Sequence, residues 1–237
     1  MNASDVRSRI QVFRETLRWR GPVRCAVLAV RELLRPIFDW YVFHVGETVL
    51  TKETATAQKP SGFVVKIFTR ADGIEWVESP MAELQNAKPV DISLRLKRGG
   101  AVAVAFAGDK AVGCTWMTLR SGLPMPFQLT WVVKPKEAVL YGSFVLPNWR
   151  GNRLHQHLDA AINAYLYGRG FLRTLGSVSA MNSQSLRLTQ RTNKRITMTL
   201  ILVRVRGLNW NFRFALGEPL ESQFQIDSST VSTIPAK

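Results

Sequence analysis

The chain has 237 residues, 46% of them hydrophobic, which suffices for one sizeable core and, by length, for one domain with an appendage or two small ones. Its 32 Lys and Arg against 17 Asp and Glu leave a formal charge of +15, so an anionic partner is expected: nucleic acid, an anionic membrane surface or a phosphate-bearing ligand. Cys25 and Cys114 lie far apart with no partners at metal-ligand spacing, which excludes a disulfide framework and a zinc site and fits a reducing cytoplasm.

Asp5, Arg7 and Arg9 stand where a signal peptide would need an apolar core, and the run "CAVLAV" is too short to span a bilayer, so neither secretion nor a transmembrane helix is expected. Residues 4–20 place Val6, Ile10, Phe13 and Leu17 at helical spacing with Arg7, Arg14 and Arg18 off that stripe, and Gly21-Pro22 ends the pattern. A second helix is predicted from Pro22 to about Asp39. Residues 1–36 carry eight Arg against Asp5, Glu15 and Glu32, a net of +5. Two readings of this basic extension, residues 1–40, stand side by side. In one, residues 4–38 dock on an anionic membrane face, a peripheral attachment to the inner side of the cytoplasmic membrane. In the other, two helices pack on the main domain with their arginines solvated.

From residue 41 to about 215 the pattern is that of a single mixed domain. "YVFHVGETVL" and "FVVKIFTR" read as strands around the polar linker "TKETATAQKPSG", and "DGIEWVESPMAELQ" contains a short helix. "AVAVAFAGDKAVGCTWMTL" predicts a hairpin turning at Gly108-Asp109. A Pro-rich loop at 123–136 leads to the strand "AVLYGSFVL". Leu154, Leu158, Ile162 and Leu166, four apart, then mark a helix over 151–168 with one buried stripe. A strand at "FLRTLGSVSA", a helix at "NSQSLRLTQR" and the strand "ITMTLILVRV" follow, and the tail 216–237 has few structural signals. The order predicts an α+β fold with a mixed sheet and helices on its faces.

The run "FVLPNWRGNRLHQHLDAAINAYLYGRGFLRTLGSVSAMNSQSLRL" resembles the core of the GNAT acyltransferase superfamily, enzymes that move an acyl group from coenzyme A to an amine or similar acceptor. Val145, Pro147, Trp149, Arg150, Gly151 and Leu158 match its strand-turn-helix pattern, Gly170-Phe171 match the helix end, and Asn182 with Ser185 open the next helix. With the preceding hairpin, the resemblance covers about residues 63–206. It implies a central mixed, mostly antiparallel sheet, acetyl-CoA or another acyl-CoA as co-substrate, and a site made of Phe144, Val145, Leu146, Arg150, Gly151, Asn152, Arg153, Leu154, His155, Asn182 and Ser185. The physical reason for such a segment is independent of the family. A helix N-terminus leaves backbone N–H groups unpaired and carries partial positive charge, which suits a pyrophosphate. Pro147 removes a ladder donor, so the strand is expected to bulge or splay there and free main-chain groups near Val145 for the thioester.

The chain departs from that pattern at three places. Arg153 and His155 occupy the positions of small residues in the phosphate turn. Thr189 stands where the family often has a Tyr acting as acid. Asn193-Lys194 replaces Gly-Phe after the second helix. For catalysis the resemblance points to Glu137, a strand carboxylate suited to general base work, with Tyr141 and Ser185; Glu137, Tyr141, Ser143 and Val145 are expected on one face of their strand. The alternative for Glu137 is a solvated carboxylate at the mouth of the strand. Glu75 and Glu78 are weaker candidates, and Trp76, Trp116 and Trp131 are either acceptor-pocket walls or core anchors. His155 and His157, two apart, face different sides of a helix, so no metal is expected.

Residues 150–213 hold eleven Lys or Arg against Asp159 alone, a net of +10, more than one coenzyme A needs. An anionic acceptor, such as an amino sugar or an envelope or exopolysaccharide precursor, is the partner this surplus suggests. Two other functions stay open: a GNAT-like binding module without catalysis, suggested by Arg153, His155 and Thr189, and a nucleic-acid-binding protein, suggested by "LVRVRGLNWNFR". The sequence has neither a reading helix nor an RNA-stacking motif, so nucleic acid is not the expected partner.

Overall fold

A computed structural model of the chain describes residues 22–34, 37–56, 62–69, 89–126, 129–192, 194–208, 210–219 and 223–226. The helix predicted over 4–20, the one in 72–85 with Glu75, Trp76 and Glu78, and Asn193 lie outside the described residues. The described residues fall into two compact units, one within 47–176 together with 223–226, the other within 22–46 and 177–219.

The larger unit is built on a hairpin. Strands β3 (Gly100–Ala107) and β4 (Lys110–Thr118) join through Gly108-Asp109 as predicted, with Gly108 at φ 58° supplying the left-handed backbone of a two-residue turn. β2 (Val64–Phe68) pairs antiparallel with β3, β4 pairs antiparallel with β7 (Glu137–Val145), and β7 pairs in parallel with the first half of β8 (Arg173–Ser179). Two of the described helices cover the sheet. α4 (Leu154–Tyr167) lays Leu154, Leu158, Ile162 and Leu166 on Ala101, Ala103, Ala105, Val112, Met117 and Ala138. The small alanines let the helix approach, and the predicted leucine stripe is the buried one. On the opposite face α3 (Pro89–Lys97) packs Ile92 and Leu96 over Val102, Val104, Cys114 and Trp116.

Several elements differ from expectation. α3 has no counterpart in the sequence reading, although Ile92 and Leu96 lie four apart behind a proline. The polar linker contains α2 (Lys52–Ala55), held by a capping box in which the Thr54 N–H donates to Thr51 Oγ1 and the Thr51 N–H to Thr54 Oγ1. The Pro-rich loop forms β5 (Pro124–Met125) and β6 (Leu129–Trp131), and β6 pairs with β11 (Phe224–Ile226) from the tail. Residues 224–226 of the tail therefore form a strand, anchored by Phe224 against Trp131 with ring centroids 4.5 Å apart.

The smaller unit contains α1 (Pro22–Leu34), β1 (Phe38–Val49) as far as Gly46, α5 (Ser183–Arg191), β9 (Arg195–Val205) and β10 (Trp210–Gly217). α1 ends at Leu34 and not near Asp39, because Phe38, Trp40 and Val42 alternate in an extended strand. β9 and β10 form a long antiparallel ribbon, Trp210↔Val205 to Gly217↔Met198. The fold class is α+β with a large, mostly antiparallel sheet flanked by helices, as the sequence predicts.

Candidate functional site

The features that single out one region lie at the end of β7. Cys114 pairs with Phe144 but Trp116 pairs with Tyr141, so Thr115 alone faces the two residues Gly142 and Ser143. This is a β-bulge, with Gly142 in the left-handed region at φ 58° and a Ser143 hydroxyl that accepts from Thr115 Oγ1 at 3.1 Å. A Cβ on residue 142 would sit 3.2 Å from Trp116 Cδ1, which a bare glycine avoids. An isolated glycine within a strand pattern was the signal in the sequence that the reading missed.

The bulge changes which side chains share a face. Before it, Ala138 and Leu140 point to the α4 side and Tyr141 to the α3 side; after it, Phe144 points to the α3 side and Val145 to the α4 side. Glu137, Tyr141, Ser143 and Val145 therefore do not form one row, since the extra residue inverts the alternation. The bulge also lies before Pro147 and not at it. The ladder with β4 stays closed to the end, as the Leu146 N–H donates to the Val112 carbonyl at 3.0 Å, and the Val145 carbonyl accepts from Arg150 Nε at 3.2 Å. Proline 147 falls beyond the last ladder bond, so its missing N–H costs the sheet nothing. The parallel pairing of β7 with β8 runs only from Glu137↔Arg173 to Leu140↔Gly176.

Beyond β7 a short 3-10 turn at Pro147–Trp149 leads to the exposed stretch Arg150, Gly151, Asn152 and Arg153, and then to α4. Arg153 is the N-cap of α4 with φ 55° and ψ 18°, and no side chain caps the helix. A glycine at that position would adopt this left-handed backbone without strain, which explains why the family pattern has a small residue there; an arginine costs about 1–2 kcal/mol. Gly151, at φ 92°, has no atom within 4 Å of a would-be Cβ and keeps the turn open on that side. His155 turns along the helix toward the buried Asp159, with Nδ1 3.6 Å from its carboxylate. Leu154 seats the first turn of α4 against β4 because Gly113 has no side chain, where a Cβ would lie 2.9 Å from Leu154 Cδ2.

Tyr141 stacks on the fully buried Trp116 at 6.3 Å between centroids, and the Arg95 guanidinium lies 5.3 Å from the Trp116 ring. Burial pushes the Tyr141 phenol above its ordinary value, outweighing the positive charge of Arg95, which pulls it down. Tyr141 is thus a protonated hydrogen-bond donor at neutral pH. Glu137 has a different setting from either one expected. It is buried, with Oε1 accepting from Arg173 Nε at 2.8 Å and from Nη2, and Oε2 accepting from the Lys134 N–H at 3.1 Å. Arg173 Nη1 also donates to the buried Glu47 at 2.9 Å. Burial works against the guanidinium charge, but the hydrogen bonds and charges of Glu137 and Glu47 prevail and raise its pKa.

Asn182 and Ser185 belong to the smaller unit, where Asn182 Oδ1 caps α5 by accepting from the Ser185 N–H at 3.1 Å. Thr189 on the same helix is buried, its hydroxyl donating to the Ser185 carbonyl at 2.9 Å. The structure thus groups Tyr141, Phe144, Val145 and Leu146 with the turn from Arg150 to His155 in the larger unit. Of the three tryptophans considered, Trp116 lies beside Tyr141, and Trp131 anchors the small sheet.

No family model matches the sequence, and no curated protein matches it. Solved structures do resemble it. A GCN5-related N-acetyltransferase from Sphaerobacter thermophilus matches with a TM-score of 0.51 at 13% identity, over 80% of this chain and 56% of that one. The fold is GNAT-like. A GCN5-related N-acetyltransferase from Kribbella flavida matches with a TM-score of 0.48 at 13% identity, over 81% and 65% of the two chains. An aminoglycoside N-acetyltransferase in complex with CoA matches with a TM-score of 0.43 at 17% identity, over 55% and 86%. The chain spans little more than half of the first of these structures and under two thirds of the second. In a GNAT-like fold the bulged strand and the turn into the following helix are the segment that the sequence resemblance singled out.

Proposed function

We propose that the protein is an acyl-CoA-dependent N-acyltransferase that binds its co-substrate along the end of β7 and the first turn of α4. The observation that carries this reading is the left-handed glycine bulge near the end of β7, followed by an uncapped helix N-terminus with Arg150 and Arg153 beside it. Two functions meet there. The N-terminal N–H groups of α4 and the two guanidinium groups attract a pyrophosphate, and the bulge interrupts regular pairing where the thioester would lie. The acyl carbonyl is then attacked by a neutral amine, the C–S bond breaks, and the amine proton passes to solvent. Tyr141, held as a phenol, donates a hydrogen bond to the departing sulfur. Arg95, over Trp116 on the same side of the sheet, favours an acceptor with a negative group, in line with an anionic sugar precursor.

Calorimetry with acetyl-CoA and longer acyl-CoAs tests the reading, with thiol release measured across a panel of amines. Submillimolar binding with turnover is expected, and absence of binding by every acyl-CoA would overturn it. Arg153→Gly is expected to fold at least as stably, by relieving the left-handed arginine, while weakening acyl-CoA binding severalfold through loss of a phosphate contact.

A non-catalytic binding module is a second reading, favoured by the commitment of Glu137 to Arg173 and of the Thr189 hydroxyl to a backbone carbonyl. Acyl-CoA binding without transfer to any amine would select it.

A further inference from the structure

The β9–β10 ribbon has its amphipathic pattern turned outward. Trp210, Phe212, Phe214 and Leu216 are 53%, 42%, 52% and 61% exposed, whereas the alternate residues of β10, Asn211, Arg213 and Ala215, face the covered side. Their partners in register on β9 are Val205, Val203, Ile201 and Thr199, so the outward face is apolar across both strands except at Thr199, whose hydroxyl is hydrogen-bonded to His44. The inward face of β9 is buried through Met198, Leu200 and Leu202. A two-sided sheet in water presents polar side chains on its open face. Here the outward face is the apolar one, and a row of four large side chains on a strand at the end of the sheet order is a surface that calls for a partner.

The rings stay open to solvent although they touch: Trp210 and Phe212 meet edge to face with centroids 6.3 Å apart, and Phe212 and Phe214 lie nearly parallel with centroids 6.5 Å apart. The same unit exposes a second apolar stripe on α1, formed by Val23, Val27, Val30 and Leu33. Among the side chains described in this unit, Arg187, Lys194, Arg195, Arg204, Arg206 and Arg213 stand against Asp39 and Glu218, six cations to two acids. Charge decides among occupants. A second copy would bring a chain of +15 against itself. Aliphatic Leu216, Ile201, Val203 and Val205 among the aromatics offer a nucleic acid little to stack on, and suit acyl chains. No described helix is long and apolar enough to cross a membrane, so attachment would be to its surface.

We propose that the outward face of β9 and β10 binds the surface of an anionic lipid bilayer, with Trp210, Phe212, Phe214 and Leu216 entering the headgroup–acyl boundary and the net positive charge of the unit drawing that face to lipid phosphates. The full chain is co-sedimented with vesicles of phosphatidylcholine alone and of equal parts phosphatidylcholine and phosphatidylglycerol. Binding to the anionic vesicles only is expected, reduced about tenfold for each ring removed in Trp210→Ser, Phe212→Ser and Phe214→Ser. Trp210→Phe, which keeps an aromatic ring in the strand, provides a second readout: brominated acyl chains quench tryptophan emission of the native chain, and this variant loses part of the quenching. Failure to bind anionic vesicles, or unchanged binding by the serine variants, overturns the proposal. So does binding of a single-stranded oligonucleotide, or formation of a dimer, that the serine variants abolish while vesicles are ignored.

Discussion

Arg173 carries one charge against the two buried carboxylates it touches, Glu47 and Glu137. Taking the guanidinium away leaves both carboxylates in a setting that cannot solvate them, and loss of one member of a buried pair costs about 3–5 kcal/mol. Arg173→Met is therefore expected to unfold at markedly lower denaturant, measured by equilibrium urea unfolding. Tyr141 responds to pH instead. Its phenol is raised above the ordinary value of 10.0 by burial, so above that pH the unfolded chain releases the proton while the folded chain retains it. Its share of stability is complete below pH 10.0 and is lost as pH rises toward the folded value. Tyr141→Phe should remove this part of the alkaline decline, seen as a shallower fall of unfolding free energy with pH. Neither residue's environment was legible in the sequence. Glu137 was singled out for its strand position, but Glu47 and Arg173 lie 90 and 36 residues away along the chain, and only the pairing of β7 with β8 brings Arg173 beside it.

At the scale of elements, the bulge in β7 is where local sequence and tertiary pairing meet. Gly142 adopts φ 58° against Trp116, so Gly142→Val has to bear a left-handed backbone and a Cβ only 3.2 Å from the indole. The expected cost is about 1–2 kcal/mol for the backbone alone, more with the clash, and loss of acyl transfer beyond the loss of stability. Thermal unfolding and single-turnover transfer, measured on the same sample, separate the two effects. α4 was readable in advance because its leucines recur every four residues, a period that holds regardless of what they pack against. The bulge was not: period-2 alternation continued through it predicts the wrong face for Val145. α3 escaped notice because two apolar residues, Ile92 and Leu96, carry its packing, too few for a periodicity. The short strands β6 and β11 pair residues more than ninety positions apart, which no local pattern reports.

For the whole molecule the charge of +15 acts at a distance. An anionic acyl-CoA approaching this field should associate more slowly as salt rises, by severalfold between low and physiological ionic strength, while an uncharged pantetheine thioester should show no such slope. Stopped-flow association at several salt concentrations tests this. The surplus of cations fits two anionic ligands, one at the turn before α4 and one at the apolar ribbon, and the two are separable by measurement: serine variants of β10 leave acyl-CoA binding intact, and Arg153→Gly leaves vesicle binding intact.

The sequence by itself determined the α+β class, the hairpin at Gly108-Asp109, the buried stripe of α4 and the strand-turn-helix segment that resembles GNAT enzymes. Each of these depends on residues near one another in the chain, through spacing, turn chemistry or capping. Tertiary structure alone decided the phase of β7 after its bulge, the sharing of Arg173 by Glu47 and Glu137, and the outward face of β10. Those depend on which strand lies beside which, and a hydrophobic residue in a strand reads the same whether its face is covered or open.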